Sequence, residues 1–351
     1  MARPLFSQPF QEALTFDDVL IVPGKSSIEP ADASLQSAPY RGALLSVPFL
    51  SAAMDRVTES RVAIALAKAG GLGVLHRNCS VATQVAMVRD VKKNGAKVAA
   101  ACGPFDEERA EALAAASVDA LVIDCAHGHN TRVLASARRI KRQLKLPVIV
   151  GNIATAEAAR DACTFADAVK VGVGPGSICT TRLVSGVGVP QFSAILEVAR
   201  VAKPMGVPVV ADGGMRNSGD IAKALAAGAS AVMLGNLFAG TDEAPGRVVK
   251  RGGERFKEYR GMGSRAVIES RSGAERYLTK GRIAVPEGVE GLVPYRGSIA
   301  DVVAELASGV QVAMGYVGAA TIPEFQRRAR FVRISSASIV ENSPHSLVTF
   351  C

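Results

Sequence analysis

The run Val173-Gly-Pro-Gly-Ser-Ile-Cys-Thr-Thr-Arg182 brings one thiol, three hydroxyls and a guanidinium together within ten residues. Gly174 and Gly176 let the backbone approach a ligand closely, or turn its carbonyls toward a cation. Ser177 offers a hydroxyl to a phosphate. A lone cysteine is more often a small buried apolar group than a nucleophile. Around Cys179, however, glycine, hydroxyl and arginine neighbours describe a polar, electropositive loop that favours thiolate. The nucleophilic reading of Cys179 is therefore preferred to the packing one.

Two further strings end apolar runs. Asp212-Gly-Gly-Met215 and Gly235-Asn236 could grip a phosphate through backbone N–H groups and a helix N-terminus. Asp212 could instead bond a ribose diol, and glycine pairs also serve as plain turns. Asp124-Cys-Ala-His-Gly-His129 reads equally as a polar loop touching substrate or cofactor and as a solvated loop with helix-capping groups. His127 and His129 are two apart, which suits metal binding on a strand but not on one helix face, and no third ligand stands near. No G-x-G-x-x-G lies between a strand and a helix, so a Rossmann dinucleotide domain is not expected. A nicotinamide cofactor lying across the mouth of a barrel stays open.

Regular elements must gather these groups. Eight short apolar, β-rich runs recur, at 48–54, 72–76, 98–102, 120–124, 148–152, 169–174, 207–212 and 231–235. Segments with helical apolar spacing separate them. This alternation favours parallel strands joined by right-handed crossovers, and eight units favour a closed barrel over an open sheet. The expected fold class is α/β, a (β/α)8 TIM barrel. A long loop at 175–190 follows strand six, and a long insertion at about 242–297 follows strand eight. Ordinary βα loops run to roughly 2–6 residues, so both excursions point to function. In such a barrel the strand ends collect at the catalytic face. The plain alternative for Asp and Asn at those ends is capping of the next helix. A final helix from about Ile299 and an irregular tail after Arg333 complete the expectation.

Composition narrows the function classes. The chain has 351 residues, 48% apolar and 21% charged, which suits one large barrel or two ordinary domains and excludes a disordered chain. Its 34 glycines exceed the usual share of roughly 7% and imply many special turns. The longest uncharged runs are broken by glycine and polar residues, so no membrane span is expected. The N-terminal stretch has no apolar signal core, and a cytoplasmic location is expected. Six cysteines form no C-x-x-C pair, so neither a disulfide framework nor a structural zinc site is expected. A net charge of +9 fits an anionic ligand such as a phosphate ester. With five tyrosines, no tryptophan and scattered basic residues, a nucleic-acid groove is not expected.

Taken together, these residues resemble the IMP dehydrogenase/GMP reductase family over nearly the whole chain. The resemblance runs from Leu14-Thr-Phe-Asp-Asp-Val-Leu-Ile-Val-Pro23 through Ser51-Ala-Ala-Met-Asp55, Gly70-Gly-Leu-Gly-Val-Leu-His76 and the Asp124 loop. It continues through the Cys179 loop, Gly186-Val-Gly-Val-Pro-Gln191 and Ala211-Asp-Gly-Gly214 to Tyr259-Arg-Gly-Met-Gly-Ser264. It implies one catalytic domain over 1–351 that oxidises IMP to XMP with NAD and water, in guanine nucleotide biosynthesis. Cys179 would attack C2 of the purine, and the covalent thioimidate would be hydrolysed. Ser177, Gly214, Gly235, Asn236 and Tyr259 would hold the 5′-phosphate, and Asp212 the ribose hydroxyls. Met54, Gly261, Met262, Gly263 and Glu287 would meet the rest of the substrate. Asp124, Asn152, Gly172 and Gly174 would lie at the nicotinamide side. Carbonyls of Gly174, Gly176 and Cys179 would ligate a monovalent cation, potassium, with Glu341 added from a neighbouring subunit. A homotetramer is implied.

The branch of the family turns on the insertion. Glu275-Arg276-Tyr277 and Val285-Pro-Glu-Gly288 look like the dehydrogenase flap, with Arg276 as base, Tyr277 beside it, and Thr181 and Glu287 as a second proton route. Arginine ordinarily stays protonated, so the role of Arg276 rests on the resemblance. Three departures stand out. The regulatory CBS pair usual in dehydrogenases is missing, its insertion point near 93–97 being bridged directly. Asn236 and Arg77 replace a common serine and lysine, and Glu341-Asn-Ser alters the stretch that supplies cation ligands. GMP reductase, which reductively deaminates GMP to IMP with NADPH, is the first alternative. A catalytically inactive purine-nucleotide-binding protein is the second.

Overall fold

The computed structural model describes residues 12–269 and 285–344. A short strand, β1 (Val19–Val22), leads in. Eight parallel strands then close into a barrel. They are β2 (Phe49–Ser51), β3 (Leu72–Leu75), β4 (Val98–Cys102), β5 (Ala120–Asp124), β6 (Val148–Ile153), β7 (Ala168–Val171), β8 (Val209–Asp212) and β9 (Ala231–Leu234). All eight sequence runs form strands. The insertion that follows holds an antiparallel sheet of β10 (Val248–Arg251), β11 (Glu254–Arg260) and β12 (Glu290–Pro294). Finally β13 (Arg330–Arg333) returns to pair with β1. The tail beyond it is not wholly irregular, since Ser336–Asn342 forms a 3-10 helix.

Side-chain alternation sorts the barrel into two cores. Leu50, Val74, Ala101, Val122, Ile149, Ala168 and Val210 pack together inside it. Their neighbours Phe49, Leu75, Ala100, Leu121, Val150, Val169 and Ala211 pack outward against the helices. Both faces of each strand are thus buried, which explains the near-continuous apolar runs. Two residues beyond interior positions, the same alternation aims polar groups into the mouth. Asp124 follows Val122, Lys170 follows Ala168 and Asp212 follows Val210.

Helix caps decide what the strand-end polar residues are for. The N-caps whose side chains accept a first-turn N–H include Ser80, Asp106, Asn130, Thr155 and Asn217. None of these is Asp124, Asn152 or Asp212. The capping explanation therefore fails at those three positions, which stay available to the site. Helix Val81–Lys93 connects to β4 through residues 94–97 alone, the place where a regulatory insertion was considered.

Close packing of helix on strand depends on small residues. A Cβ placed on Gly73 of β3 would lie 2.4 Å from the Ala63 Cβ of helix Ser60–Lys68. Gly73→Ala should therefore cost about 1–3 kcal/mol through overpacking. Urea unfolding should show a lower midpoint at unchanged m-value. An unchanged midpoint would mean that the helix shifts freely.

Candidate active site

The strand ends, the Cys179 loop and the segment 261–263 surround a cavity of about 320 Å³ at the C-terminal mouth of the barrel. Three stretches distant in sequence are braided there by backbone bonds. Glu287 N donates to Gly263 O at 3.0 Å, and Gly261 N to Val289 O at 3.0 Å. Val289 N donates to Ile178 O and Thr180 N to Glu287 O, both at 3.0 Å. The crossing is tight. A Cβ on Gly288 would sit 3.3 Å from the Gly263 carbonyl carbon and from Ile178 O, so glycine keeps the strands in register.

The braid sets up a short chain of hydrogen-bonded polar groups. Cys179 Sγ lies 3.2 Å from Thr181 Oγ1, and Thr181 Oγ1 donates to Glu287 Oε2 at 2.6 Å. The thiol, hydroxyl and carboxylate are in sequence order of donor to acceptor. Cys179 is half-buried and lines the cavity. Burial pushes the thiols of Cys102 and Cys163 up to about 12 and about 11, and raises that of Cys79.

Across the cavity lies a pocket of neutral donors and bare backbone. Gly213 and Gly214 both hold left-handed φ, +90° and +86°, where a side chain would be strained. A Cβ on Gly235 would lie 2.8 Å from the Tyr259 hydroxyl. Tyr259 is 5% exposed, bonded to Ser177 and 3.8 Å from Met54 Sδ. Burial raises its phenol well above the ordinary value, so it remains a neutral donor suited to an anion. Asn236 opens the short helix Asn236–Ala239 beside it. Arg260, next in sequence, clasps the Asp55 carboxylate with Nε 3.1 Å from both oxygens, and Asn78 Nδ2 adds a bond at 2.7 Å. Burial alone would raise that carboxyl. The Arg260 and Asn78 bonds outweigh it and hold Asp55 below the usual carboxylate range.

The third wall carries Asp124, Asn152, Lys170 and Asp212. Asn152 Nδ2 donates to Gly172 O at 2.7 Å and to Asp212 Oδ2 at 3.0 Å. Lys170 Nζ lies 3.2 Å from Asp124 Oδ1 and 2.5 Å from Asp212 Oδ2, and donates to Asn152 Oδ1. The Asp124 loop is tied to β6 by Cys125 N to Gly151 O and Gly128 N to Asn152 O. His129 Nε2 meets Asp161 Oδ2 at 3.0 Å, so the His127–His129 pair is not arranged around a common ligand.

The structure thus brings together Met54, Asp124, Asn152, Gly172, Gly174, Gly176, Ser177, Cys179, Thr181, Asp212, Gly214, Gly235, Asn236, Tyr259, Gly261, Met262, Gly263 and Glu287 around one cavity. Arg276 and Tyr277 lie outside the described residues. Glu341 stands exposed on the helix Ser336–Asn342, with no bond to the Cys179 loop among the described residues. Among those residues no group of three or more His, Cys, Asp or Glu side chains is placed to hold a metal. Sequence reasoning missed Lys170. Its signal was one charge inside the buried strand Ala168–Val171.

Comparison with known proteins decides the family. The family model described as "IMP dehydrogenase / GMP reductase domain" matches residues 13–345. The chain belongs to that family. It is 40% identical to the inosine-5'-monophosphate dehydrogenase of Halobacterium salinarum, over 96% of this chain and 94% of that one. It is 42% identical to the enzyme of the same name from Borreliella burgdorferi, over 96% and 98%. The Cryptosporidium parvum protein of that name is 39% identical, over 96% of each. The first alignment spans 469 positions, more than the 351 residues here, so that relative carries residues without counterpart in this chain.

Exposure and thiol chemistry give a test. A thiol-alkylating reagent near neutral pH should modify Cys179 ahead of Cys102 and Cys163, whose thiols stay protonated until far more alkaline pH. Peptide mapping by mass spectrometry after partial labelling reads this. Faster labelling of either buried cysteine would refute the assignment of Cys179 as the accessible nucleophile.

Proposed function

We propose that this protein is an IMP dehydrogenase, converting IMP, NAD and water to XMP and NADH. The observation that carries the reading is the Cys179–Thr181–Glu287 chain, in one cavity with Gly214, Gly235, Ser177 and Tyr259. The names of the relatives point the same way.

In this mechanism the 5′-phosphate rests among Ser177, Gly214, Gly235, Asn236 and Tyr259, and the ribose hydroxyls donate to Asp212. Met54, Gly261, Met262 and Gly263 hold the base with C2 toward Cys179. NAD, when bound, supplies the hydride acceptor. Its nicotinamide half would fit against Asp124, Asn152, Gly172 and Gly174, which line the same cavity as Cys179. Cys179 Sγ forms a bond to C2, the C2–H electron pair leaves as hydride, and the thiol proton passes through Thr181 to Glu287, which releases it to solvent before hydrolysis. Water then adds at C2, the S–C2 bond breaks, and Cys179 recovers a proton. Arg276 with Tyr277 serves as the base for that water, and Thr181–Glu287 as a second route. Carbonyls of Gly174, Gly176 and Cys179, with Glu341 of the next subunit, are the proposed potassium ligands, in a cytoplasmic homotetramer built of single-domain catalytic subunits.

The decisive measurement is absorbance in the reduced-nicotinamide band with potassium present. Rising signal with IMP and NAD, and none with GMP and NADPH, is expected. A fall with GMP and NADPH alone would make the chain a GMP reductase, and flat traces in both would leave an inactive nucleotide-binding protein. Arg276→Ala should slow hydrolysis of the covalent intermediate at least tenfold more than hydride transfer, read by rapid-quench and stopped-flow kinetics. Equal effects on both steps would sink the role given to Arg276. Glu287→Gln should slow thioimidate formation, because the thiol proton loses its final acceptor.

A further inference from the structure

Lys170 is 2% exposed on β7, and the alternation that sends Val169 and Val171 toward the helices sends it into the barrel mouth. A buried ammonium is costly unless its charge is matched. Here it faces Asp124 Oδ1 at 3.2 Å, Asp212 Oδ2 at 2.5 Å and the Asn152 amide oxygen. The Asn152 amide nitrogen in turn donates to the same Asp212 oxygen at 3.0 Å. Asn152 and Lys170 thus converge on one oxygen of the Asp212 carboxylate, Oδ2. The carboxylate is clamped by that oxygen in a residue that lines the cavity.

We propose that Lys170 is a positioning residue that fixes the Asp212 carboxylate so that the enzyme recognises the ribose diol of its nucleotide. This rests on the functional reading above. Lys170 acts through Asp212 and needs no contact with the nucleotide. Without the ammonium, Asp124 and Asp212 become two carboxylates in one poorly solvated mouth. Like charges there favour protonation or rotation of one of them. Either change spoils Asp212 as an acceptor for a pair of hydroxyls. Asn152 alone, a neutral donor, cannot restore the charge.

The test is a chemical double-mutant cycle. Binding of IMP and of 2′,3′-dideoxy-IMP is measured by calorimetry on the intact protein without dinucleotide. The wild type should prefer IMP by at least tenfold, since the analogue leaves a buried acceptor unpaired. Lys170→Met should bring the two affinities within about threefold, mainly by weakening IMP. Lys170→Arg, which keeps a cation, should restore most of the preference. Lys170→Gln repeats the cycle should the methionine variant fail to fold, with the same loss expected. A merely structural role would weaken both ligands alike, and that result overturns the proposal. So does a preference unchanged in both Lys170→Met and Lys170→Gln. A wild type that binds neither nucleotide would overturn the functional reading itself. One that binds both equally would overturn the pairing of Asp212 with the diol and this inference with it.

Discussion

The ammonium of Lys170 has Asp124 and Asp212 on either side, in a barrel mouth where the lysine itself is 2% exposed. A charge moved from water into such a place costs several kcal/mol before its partners are counted. That cost makes strand register a condition of the site. Asp124 pairs with Gly151, Gly151 with Lys170, and Lys170 with Val210, two residues short of Asp212. A slip of one residue in β7 would turn Lys170 toward the apolar helix layer and leave both carboxylates unmatched. The two-layer packing of the barrel and the electrostatics of its mouth therefore enforce the same register.

A second constraint ties the insertion to the barrel. Cys179, Thr181 and Glu287 form a chain only because backbone bonds lay Ile178–Thr180, Gly261–Gly263 and Glu287–Val289 against one another. Side-chain bonds of 2.6 and 3.2 Å need placement to a few tenths of an ångström. Loops fixed only by their own turns would not supply it. Glycine at 261 and 288 admits the approach, and the carbonyls and amides of the crossing strands satisfy one another. Side chains on three separate stretches are thereby referred to one small hydrogen-bonded patch.

How much of this the sequence disclosed follows from the kind of signal each part leaves. The eight barrel strands were legible because burial on both faces makes long apolar runs. The polar residues that line the cavity were legible because they interrupt those runs at one end. Lys170 was passed over for the same reason: a strand scored by its overall apolarity hides a single inward charge. The sheet in the insertion was missed although its mark was present. Gly252-Gly253 forms the two-residue turn of the β10–β11 hairpin, both with positive φ, between Arg251 and Glu254. The flanking residues are so charged that the segment read as a loop. The pairing of β1 with β13 left no local trace, because it joins segments some three hundred residues apart. Arg276 and Tyr277 fall outside the described residues, so their part in the site still rests on motif alone.

The insertion sheet does more than decorate the barrel. Along β11, Lys257 and Tyr259 are buried while the residues between and beside them are half-exposed. Lys257 sends its ammonium to the carbonyls of Thr241 and Ala244, at 2.7 and 2.6 Å, and so anchors the sheet to the segment that leaves β9. Tyr259, two residues on, reaches the cavity from the same face. Arg260 then grips Asp55 on the loop after β2, on the other side of the ring closure between β9 and β2. The strand is thus held at its middle and at its C-terminal end by charge-assisted bonds, with the phenol between them. Tyr259 belongs to the wall of the cavity. The bonds made by Arg260 and Lys257, one and two residues away, make Tyr259 part of the scaffold.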